Sequence, residues 1–261
     1  MPSLTDVELA IAAAQVGAEV VRGANALDAA RVQKGPTDFA TAADQESERA
    51  IMGYLDEHRP ADSRSGEEFG FSGESSSARR WLVDPLCGTL NFAASTPLFC
   101  INVALTVEGS TVAAASADPV TGETFWTDGV DACLRNGDTD HPLSPSSSSM
   151  LVDVNCDGPT DRPFLGGQLV SDPALRSRFS PRVISTSLAV AWVAAGRRAA
   201  YITDGDLEGS VHFTAGIALC QAAGCVVTDL RGDPVHTGPG LLAAADWETH
   251  EVLLGIVSAH L

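Results

Sequence analysis

The sequence predicts an α/β protein whose first half is α+β and whose second half alternates strand and helix, and three observations carry that prediction. Apolar residues recur at helical spacing near the N-terminus, at Leu9, Ile11, Ala12, Val16, Val20 and Val21, and again at Ile51, Met52 and Leu55. Short β-rich runs broken by Gly, Pro and Asp then cluster between Trp81 and Trp126, as in a largely antiparallel sheet. Beyond Met150 strands and helices alternate, the pattern of an α/β unit.

Taken in order, Thr5-x-x-Glu8 is a capping box, so the first helix starts after Thr5, and its apolar face extends to about Arg31. A second helix starts after Thr41, with Asp44 as its partner three residues on, and Pro60 stops it. Ala61 to Arg80 turns to Ser, Gly and charge and reads as an exposed, mobile loop carrying Gly66-Glu67-Glu68. Strands are expected at Trp81 to Leu86, Ile101 to Val107, Val112 to Ser116 and Glu123 to Trp126. His141 to Ser149 is polar, rich in Pro and Ser, and reads as a linker between an N-terminal sub-domain, 1–142, and a C-terminal one, 143–261, that share a cleft. In the second, strands are expected at Met150 to Val154, Val183 to Ile184, Ala200 to Ile202, Cys225 to Thr228 and Leu241 to Ala244. Helices are expected at Asp172 to Phe179, Ser187 to Ala195, Phe213 to Ala223 and Trp247 to Ser258.

A chain of 261 residues, 44% hydrophobic and 19% charged, buries a core without disulfides or a structural metal, which excludes disordered, collagen-like and coiled-coil classes. Sixteen Lys and Arg against 34 Asp and Glu leave a net charge of −18, which repels phosphate backbones and anionic lipid, so no nucleic-acid and no membrane partner is expected. An anionic substrate would need a local cation. Cys87, Cys100, Cys133, Cys156, Cys220 and Cys225 are scattered without a CxxC pair, and no apolar run is long enough to span a bilayer, so a reducing cytoplasm is the expected location. Most of these cysteines, the four tryptophans and the remaining histidines (His58, His141, His236, His250, His260) read as packing, caps or surface, and Lys34 reads as solvated.

Asp38, Asp44, Glu67, Glu68 and Asp84 each fall at the end of a helix, loop or strand, where acids can converge. Singly, such residues are caps or solvated groups. Jointly they form a pattern: Lys34-Gly35-Pro36-Thr37-Asp38-Phe39-Ala40-Thr41-Ala42-Ala43-Asp44, then Gly66-Glu67-Glu68, then Trp81-Leu82-Val83-Asp84-Pro85-Leu86-Cys87-Gly88-Thr89-Leu90-Asn91-Phe92. In order and spacing this resembles the inositol monophosphatase family, and Asp118-Pro119-Val120-Thr121-Gly122-Glu123 and Ala222-Ala223-Gly224-Cys225-Val226-Val227-Thr228-Asp229 extend the resemblance over nearly the whole chain. The resemblance implies a layered α-β-α-β-α sandwich, metal-dependent removal of phosphate from a small molecule, and a homodimer in which Arg182 pairs across the interface. A phosphate monoester is an anion that water attacks poorly unless hard cations neutralise its oxygens, which is why carboxylates build such sites. By resemblance, Glu67, Asp84 and the Leu86 carbonyl hold the first Mg²⁺. Asp44 and Thr89 orient the attacking water, and Gly88 and Thr89 offer backbone N–H groups to phosphate at a helix start.

Two departures stand out. The family's Asp-Pro-x-Asp-Gly-Thr has Cys87 here in place of its second Asp, and the family's Trp-Asp-x-Ala-Ala-Gly aligns with Val211-His212-Phe213-Thr214-Ala215-Gly216, putting His212 where a second-metal Asp stands. Thiolate and imidazole favour softer ions, so the expected cofactor is Mg²⁺, with Zn²⁺ or Mn²⁺ if Cys87 and His212 are ligands. The family's substrate-reading acid falls near Thr203 or Asp204, which points away from inositol phosphate. Three readings are ordered accordingly. The first is a divergent phosphatase with Asp44, Thr89, Cys87 and His212 as catalytic residues, working with one or two metals at Glu67, Asp84 and a mixed Asp84/Cys87/His212 site on a substrate other than inositol phosphate. The second is a repurposed enzyme, as in specialised metabolite biosynthesis, in which His212 lowers the Cys87 thiol pKa at a helix N-terminus for nucleophilic or acid–base chemistry. The third is an inactive binding scaffold.

Overall fold

A computed structural model describes residues 4–25, 31–35, 39–158 and 165–261. They divide into two compact units, Met1–Pro142 with Gly209–Ala218, and Leu143–Glu208 with Leu219–Leu261. The first unit thus takes a short segment from the second half of the chain. Asp38 lies outside the described residues.

In the first unit, α1 (Asp6–Gly23) starts where the capping box places it, the Glu8 N–H donating to Thr5 Oγ1 at 3.3 Å. It ends at Gly23 rather than near Arg31, because the apolar stripe stops at Val21 and the Ala24 N–H turns back to the Val21 carbonyl. Arg31 instead opens a small hairpin of β1 (Arg31–Gln33) and β2 (Phe39–Thr41). Next come α2 (Ala42–His58), β3 (Ser63–Gly66), β4 (Gly70–Ser72), β5 (Arg79–Cys87), the short α3 (Thr89–Ala93), β6 (Cys100–Val107), β7 (Ser110–Ala117), β8 (Thr124–Thr127), β9 (Ala132–Asn136) and β10 (Thr139–Pro142). The last eight strands form one sheet in the order β10-β9-β8-β7-β6-β5-β3-β4, antiparallel except where β3 runs parallel to β5.

The expected loop from Ala61 to Arg80 is therefore ordered. Its polar residues are satisfied inside the fold: buried Asp62 accepts from Trp81 Nε1 and Arg79 Nε, both at 2.9 Å, and the Ser63 hydroxyl donates to the Arg79 carbonyl. The start of the expected linker pairs as β10, hidden in sequence because its hairpin with β9 is polar.

Both faces of this sheet are covered. Leu9, Ile11, Val21, Ile51 and Leu55 of α1 and α2 pack with Trp81, Val83, Ile101, Val103 and Leu105. Each buried side chain of this size contributes about 1.5–3 kcal/mol. On the other face Leu82, Ala104 and Ala114 pack with Val211, Ala215 and Ala218, which fixes the Gly209–Ala218 segment against the sheet.

The second unit holds β11 (Leu151–Val154), α4 (Leu165–Ser171), α5 (Pro173–Arg178), β12 (Ser180–Val183), α6 (Leu188–Ala194), β13 (Ala200–Thr203), the end of α7 (Thr214–Ala223), β14 (Val226–Thr228), β15 (Leu241–Ala244) and α8 (Trp247–Ser258). Its sheet, β12-β11-β13-β15-β14, is mixed: β11 is parallel to β12 and β13, and β15 is antiparallel to β13 and β14. Val152, Val154, Ile202 and Leu242 pack against Leu169 of α4, Leu175 of α5 and Leu253 and Val257 of α8. His250, expected at a cap or on the surface, is buried in α8 with Nε2 2.8 Å from Thr228 Oγ1. No helix among the described residues is long and apolar enough to cross a membrane.

Candidate functional site

Along β5 side chains alternate, so Trp81 and Val83 face the helices while Leu82 and Asp84 face the Gly209–Ala218 segment. Asp84 pairs with Asn102 and Cys87 with Cys100, so three residue steps on β5 match two on β6. A regular strand would turn residues three apart to opposite faces; this bulge brings Cys87 back to the face of Asp84. Ser47 on α2 steadies the distortion by donating to the Pro85 carbonyl at 2.9 Å. From the packed segment, His212 reaches the same point, its Nδ1 2.7 Å from Asp84 Oδ2 and 3.9 Å from Glu67 Oε2, with its carbonyl accepting from Asn102 Nδ2 at 3.4 Å. One carboxylate oxygen, the thiol sulfur and a ring nitrogen of Asp84, Cys87 and His212 lie within 4.8 Å of one another.

Glu67 follows β3, and its N–H donates to the Val83 carbonyl at 3.2 Å. The loop around it is clamped by Glu48 of α2, a wholly buried carboxylate that accepts from the Glu68 N–H at 2.7 Å and the Phe69 N–H at 2.9 Å. A Cβ at Gly66 would collide with that Glu48 carboxylate, so the position admits only glycine without a shift. Lys34, expected to be solvated, instead lies 2.8 Å from Glu67 Oε1 and 2.5 Å from Glu68 Oε1.

The third part starts at α2. The Thr41 N–H and hydroxyl donate to Asp44 Oδ2 at 2.7 and 2.6 Å, and Thr89 Oγ1 donates to Asp44 Oδ1 at 2.7 Å. The same Thr89 oxygen lies 3.2 Å from the Leu86 carbonyl, and the Leu86 N–H donates to Asp84 Oδ1 at 3.1 Å. Asp44, Thr89, Leu86, Asp84, His212, Glu67 and Lys34 therefore form one chain of contacts inside the first unit. Gly88, with φ of 109°, makes the turn into α3, where a Cβ would lie 2.7 Å from the Leu98 carbonyl.

Burial and opposed charges set the protonation of this cluster. Burial opposes the charge on Asp84, but the His212 imidazolium overrides it and holds the carboxyl below its ordinary value. Burial also opposes the His212 cation, and the same Asp84 carboxylate outweighs it and pushes the ring up to about 12. Glu67, buried beside Asp84, is pushed up to about 8. Burial raises the Asp44 carboxyl against its hydroxyl donors. The Cys87 thiol moves opposite to expectation: its hydrogen bond with Cys100, burial and the Asp84 charge push it well above the ordinary cysteine value, and the contact with His212 does not offset them.

Thr203 and Asp204 belong to the second unit and engage their own surroundings. Asn155 Nδ2 donates to Thr203 Oγ1 at 3.3 Å, and the Gly205 N–H donates to Asp204 Oδ1 at 2.8 Å. Glu48, Ser47 and Asn102 were missed in sequence. The first two had a signal, since they fall with Asp44, Ile51 and Leu55 on the buried stripe of α2.

The model of the inositol monophosphatase family matches residues 3–261. The chain is 34% identical over 238 residues to inositol-1-monophosphatase ImpA of Mycolicibacterium smegmatis, covering 87% of this chain and 83% of the relative. It is 31% identical over 229 residues to the inositol-1-monophosphatase of Mesorhizobium japonicum, covering 86% and 84%, and 30% identical over 263 residues to the Nus factor SuhB of Pseudomonas aeruginosa, covering 96% and 94%. Among solved structures it is similar in fold to the extragenic suppressor protein SuhB of Bartonella henselae, with a TM-score of 0.81 at 24% identity over 96% of this chain and 97% of that one. The mixed α/β layered sandwich is shared with these neighbours, and the chain belongs to the inositol monophosphatase family, a family of metal-dependent phosphatases.

Proposed function

We propose that this protein hydrolyses a phosphate monoester of a small molecule other than inositol phosphate, with Mg²⁺ held by Glu67, Asp84 and the Leu86 carbonyl. The observation that carries the reading is the unbroken contact chain from Asp44 through Thr89 and Leu86 to Asp84 and on to Glu67. The donor set fits a hard cation: two carboxylates and a carbonyl, all oxygen, with the protein's own cations, Lys34 and His212, resting on the two acids. A divalent ion there supplies positive charge against the phosphate oxygens and toward the attacking water.

The residues divide the remaining work. Thr89 donates its hydroxyl hydrogen bond to Asp44 Oδ1, which leaves an Oγ1 lone pair to accept from the attacking water and fix its direction. Asp44, raised by burial, is a stronger base than an ordinary aspartate. Gly88 and Thr89 offer backbone N–H groups to the phosphate, as the family resemblance implies. Thr203 and Asp204 at the position of the substrate-reading acid support a different alcohol in the leaving group. A nucleophilic Cys87 is less well supported, because Cys100 and Asp84 favour its neutral thiol and His212 spends Nδ1 on Asp84.

The test is phosphate release from a panel of small phosphate monoesters by metal-stripped protein supplied with Mg²⁺. Release lost by about 100-fold or more in Glu67→Gln and Asp84→Asn is the expected result. No release by folded protein from any member of the panel would reject the reading in favour of the scaffold.

A further inference from the structure

We propose that Asp84, Cys87 and His212 form a binding site for a thiophilic divalent cation, Zn²⁺, distinct in chemistry from the oxygen site formed by Glu67, Asp84 and Leu86. The proposal deepens the phosphatase reading and shares Asp84 with it, yet it stands on the donor set alone. A carboxylate oxygen, a sulfur and an imidazole nitrogen meet within 4.8 Å. Ligands about 2.0–2.3 Å from a tetrahedral zinc are about 3.3–3.8 Å apart, so a small rotation of the side chains closes the site.

Mg²⁺ is a poor occupant. It demands octahedral oxygen at short distance, and of these three donors only Asp84 supplies oxygen. Thiolate with imidazole selects zinc, and three protein ligands leave the fourth position open, the pattern of zinc sites that admit water or a substrate oxygen.

The surroundings are built to hold this geometry. The β5 bulge is what turns Cys87 to the face of Asp84. The Leu86 N–H fixes Asp84 Oδ1, leaving Oδ2 toward His212, and Asn102 holds the His212 backbone carbonyl. Such outer contacts orient ligands and tune affinity.

The experiment titrates metal-stripped full-length protein with Co²⁺ under a phosphine reductant, which keeps the facing Cys87 and Cys100 as thiols. The expected result is a near-ultraviolet thiolate-to-cobalt charge-transfer band saturating at one equivalent, displaced by Zn²⁺ and untouched by a large excess of Mg²⁺. Cys87→Ser should abolish the band, and His212→Ala should weaken cobalt and zinc binding by about 10- to 100-fold. Glu67→Gln and Cys133→Ser should leave the band in place, and circular dichroism checks that each variant is folded. Absence of the band in folded wild type, or its persistence in Cys87→Ser, overturns the proposal. Mg²⁺-dependent phosphate release without the band rejects the zinc site alone; the band without release from any substrate supports the zinc site while the phosphatase reading fails.

Discussion

Asp84 in the first unit and Asp153 in the second are both wholly buried strand residues, and each has a cationic nitrogen 2.7 Å from Oδ2. Their carboxyls nonetheless shift in opposite directions. Asp84 is held low, since burial is outweighed by His212, and Glu67 and Cys87 also hydrogen-bond to it. Asp153 is pushed up to about 6, since burial is offset only in part by Arg198 and Arg182. The difference lies in the second oxygen: Asp84 Oδ1 accepts the Leu86 N–H, whereas Asp153 Oδ1 is buried without a hydrogen-bond partner among the described residues. Depth of burial therefore does not separate a candidate metal ligand from a structural ion pair. What separates them is whether donors surround both oxygens and keep the charge in place.

The same substitution at both positions breaks or sharpens this contrast. Asp84→Asn should fold and lose about 100-fold or more of its metal-dependent turnover, because no neutral amide replaces a carboxylate shared by two cation sites. Asp153→Asn should leave turnover within about twofold of wild type, since its salt-bridge partner, Arg198, also stacks over Trp192 and keeps that support. Comparable losses in both variants, measured as phosphate release with Mg²⁺, would erase the distinction.

A smaller effect is expected at Glu48, where both carboxylate oxygens accept backbone N–H groups of the loop that carries Glu67. Glu48→Gln turns an NH₂ group toward one of those N–H donors, so the loop loosens and divalent-cation affinity should fall about tenfold, read by calorimetric titration. The exposed neighbour Glu46→Gln should bind as wild type does. Equal affinity in all three proteins would show that Glu48 does not position Glu67.

These cases mark what a sequence can carry. Local grammar names the helix starts, through Thr5 with Glu8 and Thr41 with Asp44, because a cap involves residues three apart. The motifs around Asp44, Glu67, Asp84 and Thr89 are likewise short, and they can be read without knowing what faces them. The strands β3 and β4 escape because β3 is Ser-Arg-Ser-Gly, with its Ser63 hydroxyl held by the Arg79 carbonyl on the next strand, and β4 is three exposed residues, so no apolar alternation marks them. The direction of the Cys87 shift escapes too, since it depends on Cys100 across the sheet and on the β5 bulge. Lys34 needs the β1–β2 hairpin to bring it to Glu67, and nothing in its own neighbourhood announces that.

The smallest effect is the one that tests the comparison without touching activity. Asp153 has an ordinary value of 3.8 and a folded value of about 6, so between those values the native state binds more protons than the unfolded chain. Stability contributed by this group is then greatest at low pH and declines as pH rises from about 4 to about 6, with no further change above. Arg198 is paired to it, and Arg182 lies opposite it on β12. The expected size is at most about 3 kcal/mol, read as a falling unfolding midpoint for the second unit in denaturant titrations across that range. Asp153→Asn removes the titrating proton and flattens this component, leaving the variant at pH 7 no less stable than wild type, since the amide resembles the protonated carboxyl the site prefers. A variant less stable than wild type at pH 7 would mean that Arg198 requires the carboxylate, and that Asp153 is closer in kind to Asp84 than its orphaned oxygen implies.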